Sequence, residues 1–420
     1  MKGMAILFVL VFLTAPCLIA PLPAKAEPKT IIVPDDYPTI SSAIGNATAG
    51  DTILVREGTY EGPINQTIVI DRTLSIVGEN AENTIIKLYP AYNVTYVYNA
   101  NIIQYSDSMV INANSVSLIN LTLKFKGAIR ANGDRLQIIG NSISSPTMDI
   151  FHIKGANCIF AKNFFLVSVN LEGSSNTIRQ NILDAWSLSL QSANCNIIES
   201  NAFNSNLYLH SSHNNTFHEN LIGEVEVNDS HSNNFDGNNI TRITLSGSNN
   251  NVIIKNNIPI TPYTSGRANV EIDNCNSSVF YANYIGNMEI EYPSNNNTFF
   301  GNSFIGPLID DQLVRIDFLK VISNSWDNGS IGNYWSDYST KYPHASEIGY
   351  SGIGNTPYVV SPSYSEFDPI AYVDHFPLIR PFSEEITSEP FPTILVAAAS
   401  AAAVIVVGAV LLVYFKKRKH

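Results

Sequence analysis

The stretch DDQLVRID holds the densest group of side chains suited to acid–base or metal chemistry: Asp310, Asp311, Arg315 and Asp317. Sugar hydrolases use paired carboxylates, and proton abstraction needs a basic group within hydrogen-bond reach of the substrate. A solvated turn in a capping segment would contain the same residue types without any catalytic role. We favour the capping segment, and we predict no catalytic residue from the sequence.

Histidine is the second residue type that raises a chemical question, because copper sites combine His with Cys or Met in a tight geometry. The relevant residues are His152, His210, His213, His218 and His231. None has a metal-like pair spacing or an adjacent Met. His213 and His231, 18 residues apart, instead fit equivalent surface turns of a repeating structure. We therefore predict no bound metal and no cofactor.

Two groups of aromatic residues offer faces on which sugar rings could stack. The first group is Tyr89, Tyr92, Tyr96, Tyr98 and Tyr105, and the second is Trp326, Tyr334, Trp335 and Tyr338. Either group could form a glycan-binding surface. For Trp326 and Trp335 we favour the alternative, in which these large side chains close the end of a hydrophobic core.

An internal repeat positions many of these residues. An Ile or Phe followed three residues later by Asn recurs at steps of 18 to 27 residues. The nine asparagines of the pattern are Asn141, Asn163, Asn181, Asn201, Asn220, Asn238, Asn256, Asn283 and Asn302. Short alternating segments such as Glu224–Asn228 and Arg242–Gly247 lie between the copies. A unit this short excludes paired-helix repeats, which need more than about 30 residues.

The repeat fits a parallel β-helix, in which each unit forms one coil of three short strands and three turns. Coils would stack about 4.8 Å apart, so that about 13 coils between residues 50 and 310 give a rod of roughly 60 Å. The Ile and Phe side chains would stack inside, and each Asn amide would bond to the coils before and after it. Cys158, Cys195 and Cys275 each follow an Asn, which suggests equivalent buried places in the repeat.

The folded part of the chain divides into three segments. Residues 27–62 are predicted to form an N-terminal cap with the first strands, 63–310 the β-helix coils, and 311–382 a C-terminal capping segment. Within the first segment, Tyr37–Ala47 places apolar residues on one helical face, beginning at Ile40. This pattern predicts a short amphipathic helix that covers the first coil, because an open stack of strands must protect its ends.

The two ends of the chain carry targeting signals. Residues 1–26 combine a charged start, an apolar run and an A-x-A sequence, as in a secretory signal peptide. Residues 394–415 are 22 uncharged residues, long enough to cross a ~30 Å hydrocarbon core, and the basic residues 416–420 predict a cytoplasmic tail. With 383–393 as a stalk, we predict a single-pass membrane protein whose bulk is extracellular or periplasmic.

The predicted exported part is strongly acidic. Six of the 24 Lys and Arg residues lie in the two terminal segments, which leaves 18 basic against 36 acidic residues. Such a field repels nucleic acid, so nucleic-acid binding is excluded as a function class. The predicted partners are the membrane, which the chain would cross once, and either glycans or another surface protein.

The opening sequence IIVPDDYPTISSAIGNATAGDTILVREGTYEG resembles the start of pectin-lyase-like, right-handed parallel β-helix proteins. With short Asn-rich coils and the closing sequence SWDNGSIGNYWSDY, Ser325–Tyr338, the chain looks most like the NosD-type branch. That branch is also known as the carbohydrate-binding and sugar-hydrolysis family, and the resemblance is to its microbial, archaeal-type surface members. The resemblance covers most of Ile31–Phe382 and implies an all-β, right-handed parallel β-helix. It constrains function weakly, because one fold carries many activities.

These observations predict a membrane-anchored extracellular β-helix that serves as a surface scaffold or binds a glycan or a protein partner, without enzymatic activity. The alternative is a carbohydrate-active enzyme, a polysaccharide lyase or hydrolase of the pectin-lyase-like superfamily. A third hypothesis is a NosD-like accessory protein related to copper. Under each hypothesis, the ligand-binding residues should be those that break the repeat.

Overall fold

The structure is a computed structural model of the chain, and it describes residues 27–97, 100–147, 149–184, 187–260, 267–306, 313–316, 323–361 and 372–382. The predicted signal segment 1–26, the stalk 383–393, the apolar segment 394–415 and the tail 416–420 lie outside these residues. Across the described ranges, no helix has the length and apolar character needed to cross a membrane.

Parallel strands stack coil on coil into an all-β, right-handed parallel solenoid of about 13 turns. The first strands of the coils form one 13-stranded parallel sheet. Its members are Thr30–Val33, Thr52–Val55, Ser75–Gly78, Ser117–Ile119, Gln137–Ile139, Ile159–Ala161, Thr177–Arg179, Ile197–Glu199, Thr216–His218, Asn234–Asp236, Val252–Ile254, Val279–Tyr281 and Thr298–Phe300. The fold predicted from the repeat is therefore confirmed.

The second and third strands of the coils form two further columns of parallel strands. The second strands are Gly58–Glu61, Thr84–Lys87, Thr122–Lys124, Ser142–Ser144, Phe164–Leu166, Ile182–Leu183, Ala202–Phe203, Asn257–Ile258, Tyr284–Ile285, Ser303–Phe304 and Tyr334–Trp335. The third strands are Ile68–Ile70, Asp107–Ile111, Ala128–Ala131, Ile150–Lys154, Ser168–Glu172, Ser187–Gln191, Asn206–His210, Val270–Asp273, Met288–Ile290 and Val314–Ile316. Two longer strands, Leu221–Asn228 and Asn239–Ser246, span both columns. The strand columns thus extend beyond residue 310.

The repeated Ile and Phe side chains form a continuous stack inside the solenoid. Phe217 and Phe235 occupy the same register on adjacent coils, and their ring centroids are 4.6 Å apart. Phe280 and Phe299 stack in the same way at 4.9 Å. Because each such side chain is buried between Ile or Phe side chains of the adjacent coils, apolar burial favours the register in which the repeats align.

Trp326 and Trp335 close the C-terminal end of the interior, as the sequence predicts. Trp326 stacks on Phe299 at 4.6 Å, and Trp335 stacks on Tyr358 at 4.2 Å. Both indoles are buried. Beyond them, Tyr358–Ser361 pairs in antiparallel fashion with Tyr372–Asp374, and a helix spans Tyr338–Lys341.

A helix spans Ile40–Asn46 near the N-terminus, as predicted. Thr39 is its N-cap, and the Thr39 side chain and Ser42 form a reciprocal capping box. The helix contacts the first two strands of the first-strand sheet and buries Ile40 and Ile44. Its role as a cover for the first coil stays a prediction.

One structural feature was not predicted. Tyr92–Val97 and Ala100–Tyr105 pair as an antiparallel hairpin, so they are not part of a coil. The tyrosines Tyr92 and Tyr105 face each other across this pair, with ring centroids 5.8 Å apart. An antiparallel pair of extended segments satisfies its own backbone groups, which is why an insertion of this kind leaves the stack intact.

Candidate functional site

The acidic stretch singled out in the sequence lies mostly outside the described residues. The structure does not describe Asp310, Asp311 or Asp317. It does describe Arg315. Arg315 lies on a third strand, where its guanidinium pairs with the Glu289 carboxylate of the preceding coil. It therefore belongs to the strand stack and not to a terminal turn.

The histidines are distributed and do not converge. The rings of His213 and His231 stack with centroids 5.1 Å apart and planes 6° apart. His152 lies on a third strand, where burial and then the nearby charge of Arg130 lower its pKa. Across the part of the chain that the structure describes, no three His, Cys, Asp or Glu side chains could together hold a metal ion. The other two histidines lie apart from each other, His210 at the end of a third strand and His218 at the end of a first strand.

The nine predicted asparagines form a single buried column, here called the first buried ladder. Each is 2% exposed or less. Each side-chain oxygen from Asn163 onward accepts the backbone N–H of the Asn on the preceding coil, as in Asn220 N–H to Asn238 Oδ1 at 2.9 Å. Each amide nitrogen also donates backwards, as in Asn238 Nδ2 to the Phe217 carbonyl at 2.9 Å. Asn302 continues to Asn333, which the repeat pattern does not include.

The first buried ladder ends on a carboxylate. Asp374 accepts hydrogen bonds from the Asn333 backbone N–H at 2.6 Å, from Trp335 Nε1 at 2.9 Å and from the Phe376 backbone N–H at 3.0 Å. Burial raises the pKa of Asp374 to about 7, although three N–H groups donate to it. Its hydrogen-bond donors belong to the C-terminal end of the solenoid, so Asp374 is part of the C-terminal cap.

Two further buried ladders were missed in the sequence. The second buried ladder is Asn176, Asn196, Asn215, Asn233, Asn251, Ser278 and Asn297, and a serine ladder contains Ser212, Ser230, Ser248, Cys275 and Ser294. A signal for the second ladder exists: its residue lies two positions before the interior Ile or Phe in each repeat. Extending the motif to Asn-x-Ile/Phe-x-x-Asn would have found it.

A fourth column lies at the surface and is here called the half-exposed ladder: Asn194, His213, His231, Asn249, Asn276 and Asn295. Its hydrogen bonds point the other way. The His231 backbone N–H donates to His213 Nδ1 at 2.9 Å, from the later coil to the earlier one. Because Nδ1 is the acceptor, His213 must be the neutral tautomer with its proton on Nε2.

The three cysteines occupy different places, so their predicted equivalence is wrong. Cys158 heads the second buried ladder and receives the Leu136 N–H at 3.4 Å, whereas Cys275 is a rung of the serine ladder. Cys195 is exposed, with a left-handed φ of 56°. Each follows an Asn in the turn between a third strand and the next first strand, but the three Asn residues stand at different positions within that turn.

The third strands present a continuous polar row, here called the polar face. Ten outward residues share one register position on successive coils. They are Arg130, His152, Asn170, Ser189, Tyr208, Glu226, Thr244, Glu271, Glu289 and Arg315. Neighbouring members are about 4.8 Å apart, because that is the spacing of hydrogen-bonded strands. Arg130 is exposed and the other nine are half-buried, so this polar face offers hydrogen-bonding groups at a partly accessible surface.

Two ion pairs neutralise Glu271 and Glu289, two carboxylates in the C-terminal half of the polar face. Arg242 pairs with Glu271, and its Nε also donates to the Ala268 carbonyl at 3.1 Å. Arg315 pairs with Glu289. The guanidinium of Arg242 is largely buried, with a side-chain exposure of 10%, so solvent screens this pair less than an open surface pair.

The polar face also holds acceptors that have no hydrogen-bond partner. Asn170 Oδ1 and Thr244 Oγ1 are shielded from water and accept or donate no bond within the described residues. A buried polar atom without a partner costs free energy. The row as a whole combines fixed charges, hydroxyl groups and an aromatic ring at Tyr208, which suits recognition of a polyhydroxylated chain.

The second strands carry a different surface. At one register position, Phe164, Ile182, Ala202 and Leu221 follow each other on four coils. A groove of about 580 Å³ opens beside the first two of them, with Lys124 on its wall. This side offers apolar contact, whereas the polar face offers hydrogen bonds.

Comparisons with known proteins point to the same fold. No family model matches the chain, and neither does any curated protein. The catalytic unit of the thermostable α-1,3-glucanase of Streptomyces thermodiastaticus strain HF3-3 is similar, with a TM-score of 0.52 and 12% identity over 70% of this chain. The match spans 64% of the glucanase unit, which is less than two thirds of its length.

Two other solved structures are more distantly similar. The A-module of the mannuronan C-5 epimerase of Azotobacter vinelandii has a TM-score of 0.48 and 11% identity, over 68% of this chain and 91% of the module. The Dettilon tailspike protein has a TM-score of 0.47 and 13% identity, over 70% of each chain. Only the similarity to the glucanase unit supports the fold, and at 12% identity it supports the parallel β-helix alone, while the NosD-type branch stays a prediction.

Proposed function

We propose that this protein is a carbohydrate-active β-helix that binds an extended polysaccharide along the polar face. The observation that carries the proposal is the ten-residue row from Arg130 to Arg315, which continues in register without one aliphatic side chain. Its repeat of about 4.8 Å per coil is close to the advance of one pyranose residue in an extended chain. One coil can therefore serve one sugar residue.

Neutral sugars are the substrate class that this row favours. Arg242 and Arg315 already neutralise Glu271 and Glu289, so the surface offers polar atoms more than net charge. The chain as a whole has a formal net charge of −12, which disfavours polyanions at long range. Hydroxyl-rich ligands match both conditions, because they donate and accept hydrogen bonds without a charge.

Polysaccharide cleavage is the second candidate function. Glu271 and Glu289 stand on successive coils in direct register, with their Cα atoms about 4.8 Å apart. Retaining glycosidases use two neighbouring carboxyl groups, and Glu271 and Glu289 are the two acidic residues of the polar face that lie on adjacent coils. In that case one carboxyl would protonate the leaving oxygen and the other would attack the anomeric carbon.

The terminal segments support a location at the cell surface. Residues 1–26 as a signal and 394–415 as an anchor would hold the rod outside, with 416–420 in the cytoplasm. Protease treatment of intact cells tests this arrangement. We expect the rod to be released while an epitope placed after residue 420 stays protected, and loss of that epitope would contradict it.

Binding is tested by incubating the purified full-length protein with a panel of neutral and acidic polysaccharides. The double variant Glu271→Gln/Glu289→Gln should lower affinity about tenfold, since hydrogen bonds to charged groups are the strong ones. The matched control is Glu199→Gln, which removes a carboxylate from a first strand. Equal affinity of the double variant and the control would refute the polar face as the site.

The same samples separate binding from cleavage. Reducing-end release that disappears in Glu271→Gln and in Glu289→Gln separately would establish the hydrolase. Binding without any release from the wild-type protein leaves a binding protein, because both carboxylates are then present and inactive.

A further inference from the structure

A second, smaller cavity lies at the C-terminal end of the rod, away from the polar face. It has a volume of about 230 Å³. Pockets for drug-sized ligands are about 300–1,000 Å³, so this one suits a single ring. Its walls include the aromatic rings of Tyr334, Tyr338 and Tyr342 and the carboxylate of Glu347. This cavity is here called the tyrosine pocket.

The aromatic wall of the tyrosine pocket is held rigidly. Tyr338 and Tyr342 lie with ring centroids 5.4 Å apart. The Tyr338 hydroxyl donates to the Thr356 carbonyl at 2.7 Å, and the Tyr342 hydroxyl accepts the Val359 N–H at 2.9 Å. Rings fixed in this way lose little conformational freedom on binding, which favours affinity.

The polar wall of the pocket has unused hydrogen-bonding capacity. Across the described residues, the hydroxyl groups of Tyr334, Ser336 and Ser339 make no hydrogen bond within the protein. Glu347 uses Oε1 to accept the Gly352 N–H at 2.6 Å and to pair with the Arg380 guanidinium at 3.6 Å, while its Oε2 accepts nothing from the described residues. A carboxylate oxygen beside free hydroxyls and aromatic faces is complementary to the hydroxyl groups and apolar face of a sugar.

We propose that the tyrosine pocket binds one neutral pyranose, such as the terminal residue of a glycan. The apolar face of the ring would pack on Tyr334 and Tyr342, and adjacent sugar hydroxyls would donate to Glu347 Oε2. Glu347 lines the pocket and its partner Arg380 does not, so the carboxylate of an acidic sugar would lie nearer to the negative member of this ion pair, which disfavours acidic sugars. This site is separate from the polar face, which takes the body of a chain and not its end.

The experiment measures binding of methyl glycosides of glucose, galactose, mannose and N-acetylglucosamine to the full-length protein by ligand-observed NMR, with glucuronate as the acidic comparison. We expect one or more neutral glycosides to bind and glucuronate not to bind. Tyr334→Ala should lower the affinity about fivefold or more, and Glu347→Gln about tenfold. Binding of glucuronate as tight as that of the neutral sugars, or no binding of any glycoside, overturns the proposal.

The chain supplies a matched control for Tyr334. Tyr284 occupies the same register position on a second strand, two coils earlier, and is 43% exposed. Tyr284→Ala should leave glycoside affinity unchanged, and an equal loss in both variants overturns the proposal. Ser339→Trp introduces a large side chain beside the pocket from an exposed position, so it should leave the fold intact and abolish binding even where Tyr334→Ala destabilises the cap.

The outcome is independent of the proposed function. Glu271→Gln/Glu289→Gln should leave glycoside binding intact, while Ser339→Trp should leave binding of polysaccharide to the polar face intact. Loss of glycoside binding in the polar-face variant would assign the sugars to that face and remove the tyrosine pocket.

Discussion

The first buried ladder and the half-exposed ladder make the same kind of bond in different surroundings and in opposite directions. In the buried one, the Asn220 N–H donates forward to Asn238; in the half-exposed one, the His231 N–H donates back to His213. Every rung joins one backbone N–H to one side-chain acceptor. The two ladders differ in what happens when an acceptor is removed. Inside the solenoid no other group can accept the N–H, whereas at the surface water can. Burial, not the number of bonds, should therefore decide how much each rung stabilises the fold.

The end of the buried ladder should show the largest effect. Asp374→Ala removes the acceptor of three N–H groups, two of which belong to the buried residues Asn333 and Trp335. We expect the free energy of unfolding to fall by about 3 kcal/mol or more, measured by urea denaturation followed by circular dichroism. A change under about 1 kcal/mol would mean that water reaches these groups.

An internal rung should show the next largest effect. Asn220→Ala removes the acceptor for the N–H and the side-chain amide of Asn201. We expect a loss of about 1–3 kcal/mol in the same denaturation experiment. The control is Asn239→Ala on the exposed side of a neighbouring coil, which should change stability by less than about 0.5 kcal/mol. Equal effects of the two substitutions would place Asn220 in contact with solvent.

A rung of the half-exposed ladder should contribute less. Asn276→Ala removes the acceptor of the Asn295 N–H, a bond of 2.9 Å that water can replace. We expect a loss of about 0.5–1 kcal/mol, the net value of an ordinary hydrogen bond. If Asn276→Ala costs as much as Asn220→Ala, exposure does not distinguish the ladders and the comparison fails.

The smallest effect should be a dependence of the free energy of unfolding on pH. It should come from the His residues of the half-exposed ladder. Burial, and then the stacked His231, lower the pKa of His213. Its contribution is complete above the unfolded value of about 6.5 and is lost as the pH falls through the lower pKa of the folded state. His213→Asn keeps an acceptor and removes the titration.

The measurement is the free energy of unfolding of wild type and His213→Asn at about pH 7.5 and about pH 5. The wild type should lose more stability on acidification than the variant does. Taking the difference between the two proteins cancels other groups, such as Asp374, that titrate in both. A variant that loses as much as the wild type would show that His213 binds protons equally in both states.

Most of the fold could be predicted from the repeat, because each Ile or Phe and the Asn three residues later recur at nearly constant steps. The second ladder was visible in the same repeats and was missed because the motif stopped at the interior residue and did not extend to Asn215, two positions before Phe217. The hairpin Tyr92–Val97 with Ala100–Tyr105 could not be predicted in this way. Its pairing depends on contacts within an insertion that shares no period with the coils.

The candidate site was the least predictable part. Glu271 and Arg242 are 29 residues apart in the chain, and they meet because they lie on paired strands of adjacent coils. The row from Arg130 to Arg315 follows from register, which depends on the length of every loop before it. The tyrosine pocket likewise joins Tyr334 to Glu347 through the packing of the cap. The spacing of these residues along the sequence does not predict that they are close in the structure.

The turn residue before each rung of the first buried ladder has a left-handed backbone, yet these residues share no chemistry. They are Gly140, Lys162, Gln180, Ser200, Glu219, Gly237, Lys255, Ala282 and Gly301. The Asn that follows fixes the geometry, so the turn side chain is free to vary. Along this edge the molecule behaves as a display scaffold, with interchangeable groups at regular intervals of about 4.8 Å. Such an edge can acquire or lose a binding specificity by point mutation while the solenoid beneath it stays the same.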